Sequence, residues 1–167
     1  MSQYHVRRTD KEITDKKELE KILKTTQYIV LALSKDNQPY CVALSHGYDQ
    51  KNDCLYFHCA TEGKKNDYLQ ANNKIWGVAI LDKGYIQGKC DHAYASVHFS
   101  GKVSFIEDPT ERARAFKIMI NQLDRNPETQ LEGLEERVEN LIKAGKTKVG
   151  KISIDYMTGK KSKDIVL

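Results

Sequence analysis

Three strand-like runs separated by two turn sequences follow one another in the first half of the chain, and this pattern constrains the fold most. The runs cover 28–34, 40–48 and 54–60, and each is rich in β-branched and large apolar residues. The segments between them, 35–39 and 49–53, carry the Asp and Asn residues that are typical of tight turns. We therefore predict an antiparallel meander of hairpins over this region.

Helix signals occur at four places around and after the meander. Asp15 precedes an apolar stripe at helical spacing, with Glu18 three residues later as its capping partner. Asp108 is followed by Pro109, a favoured first helical residue. The other two predicted helices are a short one ending at Leu69, and one that runs from Asn126-Pro127 to Gly145 with an apolar face between Leu131 and Ile142.

Further strands are predicted over 74–82, 94–106 and 149–156, with 84–92 as a loop. Many antiparallel strands with few helices favour a closed or nearly closed barrel, because closure removes exposed sheet edges. We predict one mainly β domain with helices (α+β) over 1–167, with an N-terminal arm over 1–12 and a helical insert over 108–145.

Charge and hydropathy narrow the class of protein. There are 27 basic and 23 acidic residues, mixed along the chain, and the net charge of +4 is too mild to indicate a nucleic-acid partner. No apolar run approaches the roughly 20 residues of a membrane span, and the first eight residues lack the apolar segment of a secretory signal. We expect a cytoplasmic protein that does not bind membranes.

The four cysteines, Cys41, Cys54, Cys59 and Cys90, form no Cys-x-x-Cys pair. A zinc site of that kind or a thioredoxin-like site is therefore not expected. Cys41, Cys54 and Cys59 lie in or beside apolar runs, and we predict them to be reduced thiols in the core.

The segment 55–69 is the strongest candidate for a ligand site. A strand leads through Thr61 and Gly63 into a helix that begins with Lys64 and Lys65. Free backbone N–H groups and a partial positive charge at a helix start, together with two lysines, favour a phosphate group. The same residues would also suit an ordinary solvated helix start.

Several motifs in order and spacing resemble the pyridoxamine 5'-phosphate oxidase-like FMN-binding proteins, in the branch that contains the nitroimidazole-resistance proteins. The motifs are Arg8-x-Asp10-x-Glu12-Ile13, Pro39-Tyr40-x-Val42-x-Leu44-Ser45-x-Gly47-Tyr48, Leu55-Tyr56-Phe57-His58-x-Ala60-x-Glu62-Gly63-Lys64-Lys65, Leu69-x-x-Asn72 and Tyr94-x-Ser96-Val97-x-x-x-Gly101-x-Val103. The resemblance implies a split β-barrel, built as a homodimer that shares two FMN sites.

The resemblance also implies which residues would meet the cofactor. Lys64 and Lys65 would bind the phosphate, with the hydroxyl of Thr61 nearby. His58 falls where nitroimidazole-resistance proteins carry a histidine close to the cofactor, and it is the catalytic candidate. The flavin ring would lie along Val42, Ala43, Leu44 and Ser45, and Ser96 would approach the site from the partner chain.

Some positions depart from the family pattern. Proline is frequent in the family where Ala43 stands, and an aromatic residue where His46 stands. The arginine-rich substrate motifs of genuine pyridoxamine phosphate oxidases are not recognisable. Oxidation of vitamin B6 is therefore not expected, whereas FMN binding is.

The remaining candidates have mainly structural interpretations. His46 and His58 lie on adjacent strand runs, but no third ligand has suitable spacing, so no metal site is predicted. His98 is predicted to be a surface residue. Trp76 is expected to pack in the core rather than against a flavin.

Three functions remain open. The first is an FMN-dependent oxidoreductase that reduces a small oxidised compound such as a nitroaromatic, with the flavin supplying the chemistry. The second is a non-enzymatic flavin or haem carrier, or a sensor, on the same barrel. A nucleic-acid-binding barrel ranks last, because the strands do not interleave aromatic and basic residues.

Overall fold

A computed structural model describes residues 6–163 and 165. A short 3₁₀ turn at Thr9–Lys11 precedes the main elements. The helices are α1 (Lys16–Thr25), α2 (Lys64–Ala71), α3 (Pro109–Leu123), α4 (Pro127–Leu131) and α5 (Leu134–Lys143). The strands are β1 (Glu12–Ile13), β2 (Tyr28–Lys35), β3 (Gln38–Ser45), β4 (Gly47–Asp49), β5 (Cys54–Cys59), β6 (Lys74–Ile86), β7 (Asp91–Phe105) and β8 (Lys148–Lys161).

The strands form one antiparallel, barrel-like sheet in the order β3-β2-β6-β7-β8-β5-β4, with β1 added to β8. Although β3 lies at one end of this path, it contacts β5 near the other end, because the sheet curls round its core. The fully buried side chains inside the curl include Leu31, Leu55, Phe57 and Phe99. The predicted mainly β split-barrel class is confirmed.

Helix α1 fills one opening of the curled sheet. Asp15 accepts a hydrogen bond from the N–H of Lys17 at 2.9 Å, as expected of an N-cap. Ile22 and Leu23 on its inner face are completely buried. The helix therefore completes the core that the strands leave open.

The helical insert packs against the β4–β5 side of the barrel. Asp108 caps α3 by accepting the N–H of Glu111 at 2.7 Å, with Pro109 at the first position. Helix α3 contacts β4, β5, α4 and α5. This placement puts α3 and α5 beside the strand that carries His58.

The chain changes strand partners at His46, where one continuous strand was predicted over 40–48. Residues 38–45 pair with β2, whereas Gly47 to Asp49 pair with β5. A side chain at Gly47 would place its Cβ only 2.8 Å from the backbone of Met119, so the close approach of α3 requires glycine here. The break comes from this helix packing, which no local strand pattern encodes.

Three other predictions need correction. The segment 84–92 is not a loop: β6 continues to Ile86 and β7 starts at Asp91, so the pair forms a long hairpin. Trp76 is 49% exposed on the outer face of the sheet instead of packing in the core. Cys41 is also exposed, whereas Cys54 and Cys59 are buried free thiols as predicted, and His98 is exposed as predicted.

Residues 1–5 of the N-terminal arm are not among the described residues. The prediction about a secretory signal depends partly on them. Within the described residues, no helix has both the length and the apolar character needed to cross a membrane.

Candidate functional site

Strand β3 offers a free backbone edge next to the start of α2. The strand pairs with β2 and lies at the end of the sheet path, so its other edge has no strand partner among the described residues. Along it, Ala43 and Ser45 are exposed, Val42 is half-buried and Leu44 points into the core. An unpaired strand edge presents N–H and C=O groups that a planar polar ligand can bind.

The start of α2 faces this strand through Lys64. The Nζ atom of Lys64 lies 4.6 Å from the ring centroid of Tyr40 on β3 and 5.6 Å from that of Tyr68. The two tyrosine rings are 5.2 Å apart and form a small aromatic platform under the ammonium group. The lysine is therefore held close to β3 while it remains exposed.

The N-terminus of α2 has no side-chain cap. Its N-cap residue is Gly63, which has φ 114° and makes no side-chain capping hydrogen bond. A helix without a cap leaves first-turn N–H groups available to an anion, and the macrodipole adds partial positive charge. The turn is fixed from behind by Asn66, whose Nδ2 donates to the carbonyl of Ala60 at 3.0 Å.

His58 lies near the end of β5, with one face of its ring against Phe116. The ring centroids are 5.3 Å apart and the planes are nearly parallel, at 27°. Burial lowers the pKa of His58, and the positive charge of Lys65 lowers it further. The imidazole is therefore neutral at pH 7, with one ring nitrogen as donor and the other as acceptor.

His58 and Ser45 open into one cavity of about 590 Å³ between the barrel and the insert. Most of the remaining wall comes from apolar side chains of α3 and α5, including Phe116 and Val138. Ligand pockets commonly have this size and this apolar character. The cavity links the edge strand, the histidine and the helical insert in one place.

Two of the predicted site residues have other surroundings within the chain. The hydroxyl of Thr61 donates to the carbonyl of Gly145 at 2.8 Å, and the residue lines a separate cleft of about 1020 Å³ with Lys148. Ser96 is buried on β7, opposite Ile80 and Lys160 in the register. Within one chain, Val42 to Ser45, His58, Lys64 and Lys65 are thus grouped on one side of the barrel. Thr61 shares its cleft with Gly63 and Asn66 at the start of α2, and Ser96 lies apart on β7.

Three aromatic residues of the site, Tyr40, Tyr68 and Phe116, were not among the predicted site residues. Tyr68 follows Lys64 by four residues, which places both on one face of a helix, and this spacing could have indicated their contact. Tyr40 and Phe116 meet Lys64 and His58 only through tertiary packing.

His46 is a fully buried residue whose ring contacts the backbone of α1. Its Nε2 lies 2.9 Å from the carbonyl oxygen of Leu23, so it donates there, and Nδ1 is buried without a partner among the described residues. Burial lowers the pKa of His46 although the bond to Leu23 acts in the opposite direction. Among residues 6–163 and 165, no cluster of three or more His, Cys, Asp or Glu side chains could hold a metal ion.

The outer face of the sheet carries exposed apolar side chains on neighbouring strands. Tyr28 is 60% exposed, Trp76 49% and Ile80 52%. Trp76 pairs with Ala32 across β2 and β6, and Ile80 pairs with Ser96 across β6 and β7. Large apolar side chains exposed on neighbouring strands are candidates for an interaction surface.

Known proteins with this fold are numerous. The chain is 30% identical to a protein from Bacteroides thetaiotaomicron with a proposed role in 5-nitroimidazole antibiotic resistance, covering 89% of this chain and 85% of that one, with a TM-score of 0.73. A flavocytochrome from Azotobacter vinelandii has a TM-score of 0.76 at 18% identity, with 98% and 75% coverage. A FAD- and haem-binding protein from Mycobacterium smegmatis has a TM-score of 0.67 at 18% identity, with 92% and 74% coverage.

The two more distant structures support the fold alone, because their sequences have diverged too far to carry more. No curated protein sequence is a significant match. The sequence profile described as pyridoxamine 5'-phosphate oxidase, in contrast, matches residues 15–161, which is most of the chain. Together with the split-barrel sheet, this match shows that the chain belongs to the pyridoxamine 5'-phosphate oxidase family.

Proposed function

We propose that this protein binds FMN between β3 and the start of α2 and reduces a small oxidised compound such as a nitroaromatic. The observation that carries the proposal is the grouping of a free strand edge, an uncapped helix start with two lysines, and a histidine beside an apolar cavity. Several proteins of the same fold have flavin in their names, among them the FAD- and haem-binding protein from M. smegmatis.

Each part of the site matches one part of FMN. The ammonium groups of Lys64 and Lys65 and the first-turn N–H groups of α2 bind the terminal phosphate. The free edge of β3, over 42–45, supplies backbone donors and acceptors for the polar rim of the ring system. Bound flavin supplies the capacity to take up a hydride from a donor and pass electrons to a substrate.

His58 has a positioning and proton-handling role in this proposal. As a neutral imidazole it presents an N–H group to the cavity and does not add a second full charge beside Lys65. It orients a polar substrate group by hydrogen bonding, and its other nitrogen can accept a proton. Phe116 stacks on one face of the imidazole, and both residues line the cavity.

A homodimer completes the proposal. A second copy of the chain would cover the outer face at Tyr28, Trp76 and Ile80, because burial of these exposed apolar side chains is favourable. An obligate interface of this type buries roughly 2,000 Å² or more. Ser96 borders Ile80 on the same sheet, so pairing through this face brings it towards the partner's site.

The test starts with cofactor identity. Purified protein is stripped of cofactor and titrated separately with FMN and FAD by flavin fluorescence, followed by NAD(P)H oxidation with a nitroaromatic acceptor. We expect tighter binding of FMN, because the phosphate group is anchored by one compact helix start. Failure to take up either flavin would refute the proposal, and tight binding without turnover would favour a flavin carrier instead.

A further inference from the structure

The cavity between the barrel and the helical insert has a charge pattern that indicates its ligand. We infer that it binds a flat apolar molecule carrying an anionic group, such as an aromatic carboxylate. This inference rests on the proposed function, because it names the substrate class of the site beside His58.

The walls of the cavity favour an apolar, planar body. Apart from Ser45 and His58 at the barrel side, they consist mainly of one set of apolar side chains from the insert: Phe116, Met119, Ile120, Leu123, Leu134, Val138 and Leu141. Met119, Leu134 and Val138 are buried, whereas Leu141 is 42% exposed without the ligand. A ligand that covers this surface gains from removal of apolar area from water.

The lining of the cavity has more basic than acidic groups. Arg125 and Arg137 are both part of it, and both are exposed. Asp124 is the one acidic residue in this lining, and its Oδ1 already accepts the N–H of Asn126 at 2.9 Å. The excess of basic groups therefore favours an anionic ligand.

Neither arginine is neutralised by a neighbouring acid. Within the described part of the chain, the ion pairs involve other residues, and Arg137 donates instead to the uncharged carbonyl of Gln130. A guanidinium group has a planar set of donors that fits a carboxylate. Arg114, in contrast, has an acidic partner in Asp49.

The residues that line the cavity assign an orientation to the ligand. The reducible group would lie beside His58 and Ser45, next to the proposed cofactor, and the carboxylate would bind Arg125 and Arg137. A neutral ligand of the same shape would contact the apolar side chains but would leave Arg125 and Arg137 without an anionic partner.

The test compares 4-nitrobenzoate with 4-nitrobenzyl alcohol, which have similar size and differ in charge. Their dissociation constants are measured by ligand-observed NMR on the FMN-loaded and the FMN-free protein. We expect the carboxylate to bind about fivefold to tenfold more tightly at low salt, and this preference to shrink in 0.5 M salt because screening weakens exposed charge pairs.

The matched variants are Arg125→Gln, Arg137→Gln, the double variant, and Lys117→Gln as a control. Lys117 is an exposed cation on α3 that does not line this cavity. The double variant should bind both ligands equally, the single variants should be intermediate, and the control should keep the preference. Thermal melts establish that each variant is folded.

Equal affinity for the two ligands in the unaltered protein, or an unchanged preference in the folded arginine variants, would overturn the inference. The FMN titration on the same samples separates the two proposals. Protein that binds FMN but shows no preference for the carboxylate refutes only the anion inference. Carboxylate preference in protein that does not bind FMN refutes only the flavin function.

Discussion

Replacing both Lys64 and Lys65 by alanine removes the two side-chain cations at the start of α2 and leaves its backbone in place. Lys64 is exposed and Lys65 is half-buried, and neither is part of an ion pair among the described residues. Their main energetic role should therefore concern a bound anion and not the stability of the fold. Alanine also favours the helix that the lysines begin.

The expected loss follows from the surroundings of each lysine. A charge-assisted hydrogen bond contributes about 1.5–3 kcal/mol when well formed. We take about 1 kcal/mol for the exposed Lys64, because solvent screens it, and about 1–3 kcal/mol for Lys65. The sum of about 2–4 kcal/mol corresponds to a loss of FMN affinity of roughly 30-fold to 1,000-fold.

Flavin fluorescence titration measures this loss directly, with riboflavin as a ligand that lacks the phosphate. The variant should bind riboflavin as the unaltered protein does, because the contacts of the ring with β3 remain. Lys83→Ala/Lys89→Ala is a matched control that removes two exposed cations from the hairpin between β6 and β7. If Lys64→Ala/Lys65→Ala binds FMN with unchanged affinity, or loses riboflavin to the same extent as FMN, the phosphate assignment is wrong.

Three further predictions concern the histidines and the outer sheet face. His58→Asn should bind FMN and melt near the temperature of the unaltered protein, but its reductive turnover should be lost or have a different pH profile. Normal turnover at every pH would mean that His58 has no role in the reaction. Trp76→Glu should give the 19.1 kDa monomer in light scattering and weaken FMN binding; a dimer that persists would place the interface elsewhere. The buried His46 has a lowered pKa, so on acidification the unfolded chain takes up a proton at this residue at a higher pH than the folded chain does. The free energy of unfolding should therefore fall as the pH drops below about 6.5. His46→Gln should reduce that slope in urea unfolding.

Local signals in the sequence were sufficient for most of the secondary structure. The runs rich in β-branched and large apolar residues, separated by turn sequences, predicted β2, β3 and β5, because such residues favour the extended, half-buried surface of a sheet. The caps at Asp15 and Asp108 predicted where α1 and α3 begin, because the hydrogen bonds involved join residues two or three positions apart. The family resemblance, carried by motifs in order and spacing, agrees with the profile match over 15–161.

The sequence was less informative where two distant segments meet. The sequence around Trp76 does not distinguish a tryptophan on the outer face from one in the core. An apolar residue favours burial, but the surface that buries it depends on the tertiary structure. The strand break at His46 depends on the backbone of Met119 in α3, more than 70 residues away in the chain. Local propensity holds no information about such an approach.

The composition of the candidate site was likewise decided by tertiary structure. The sequence determined that Thr61, Lys64 and Lys65 surround one turn, but not that Gly145 binds the hydroxyl of Thr61. Ser45 and His58 were both candidates, yet their common cavity exists only because α3 and α5 pack beside β5. Residue types and short-range spacing follow from local chemistry, whereas the shape and charge of a cavity depend on which distant side chains the packed core brings together.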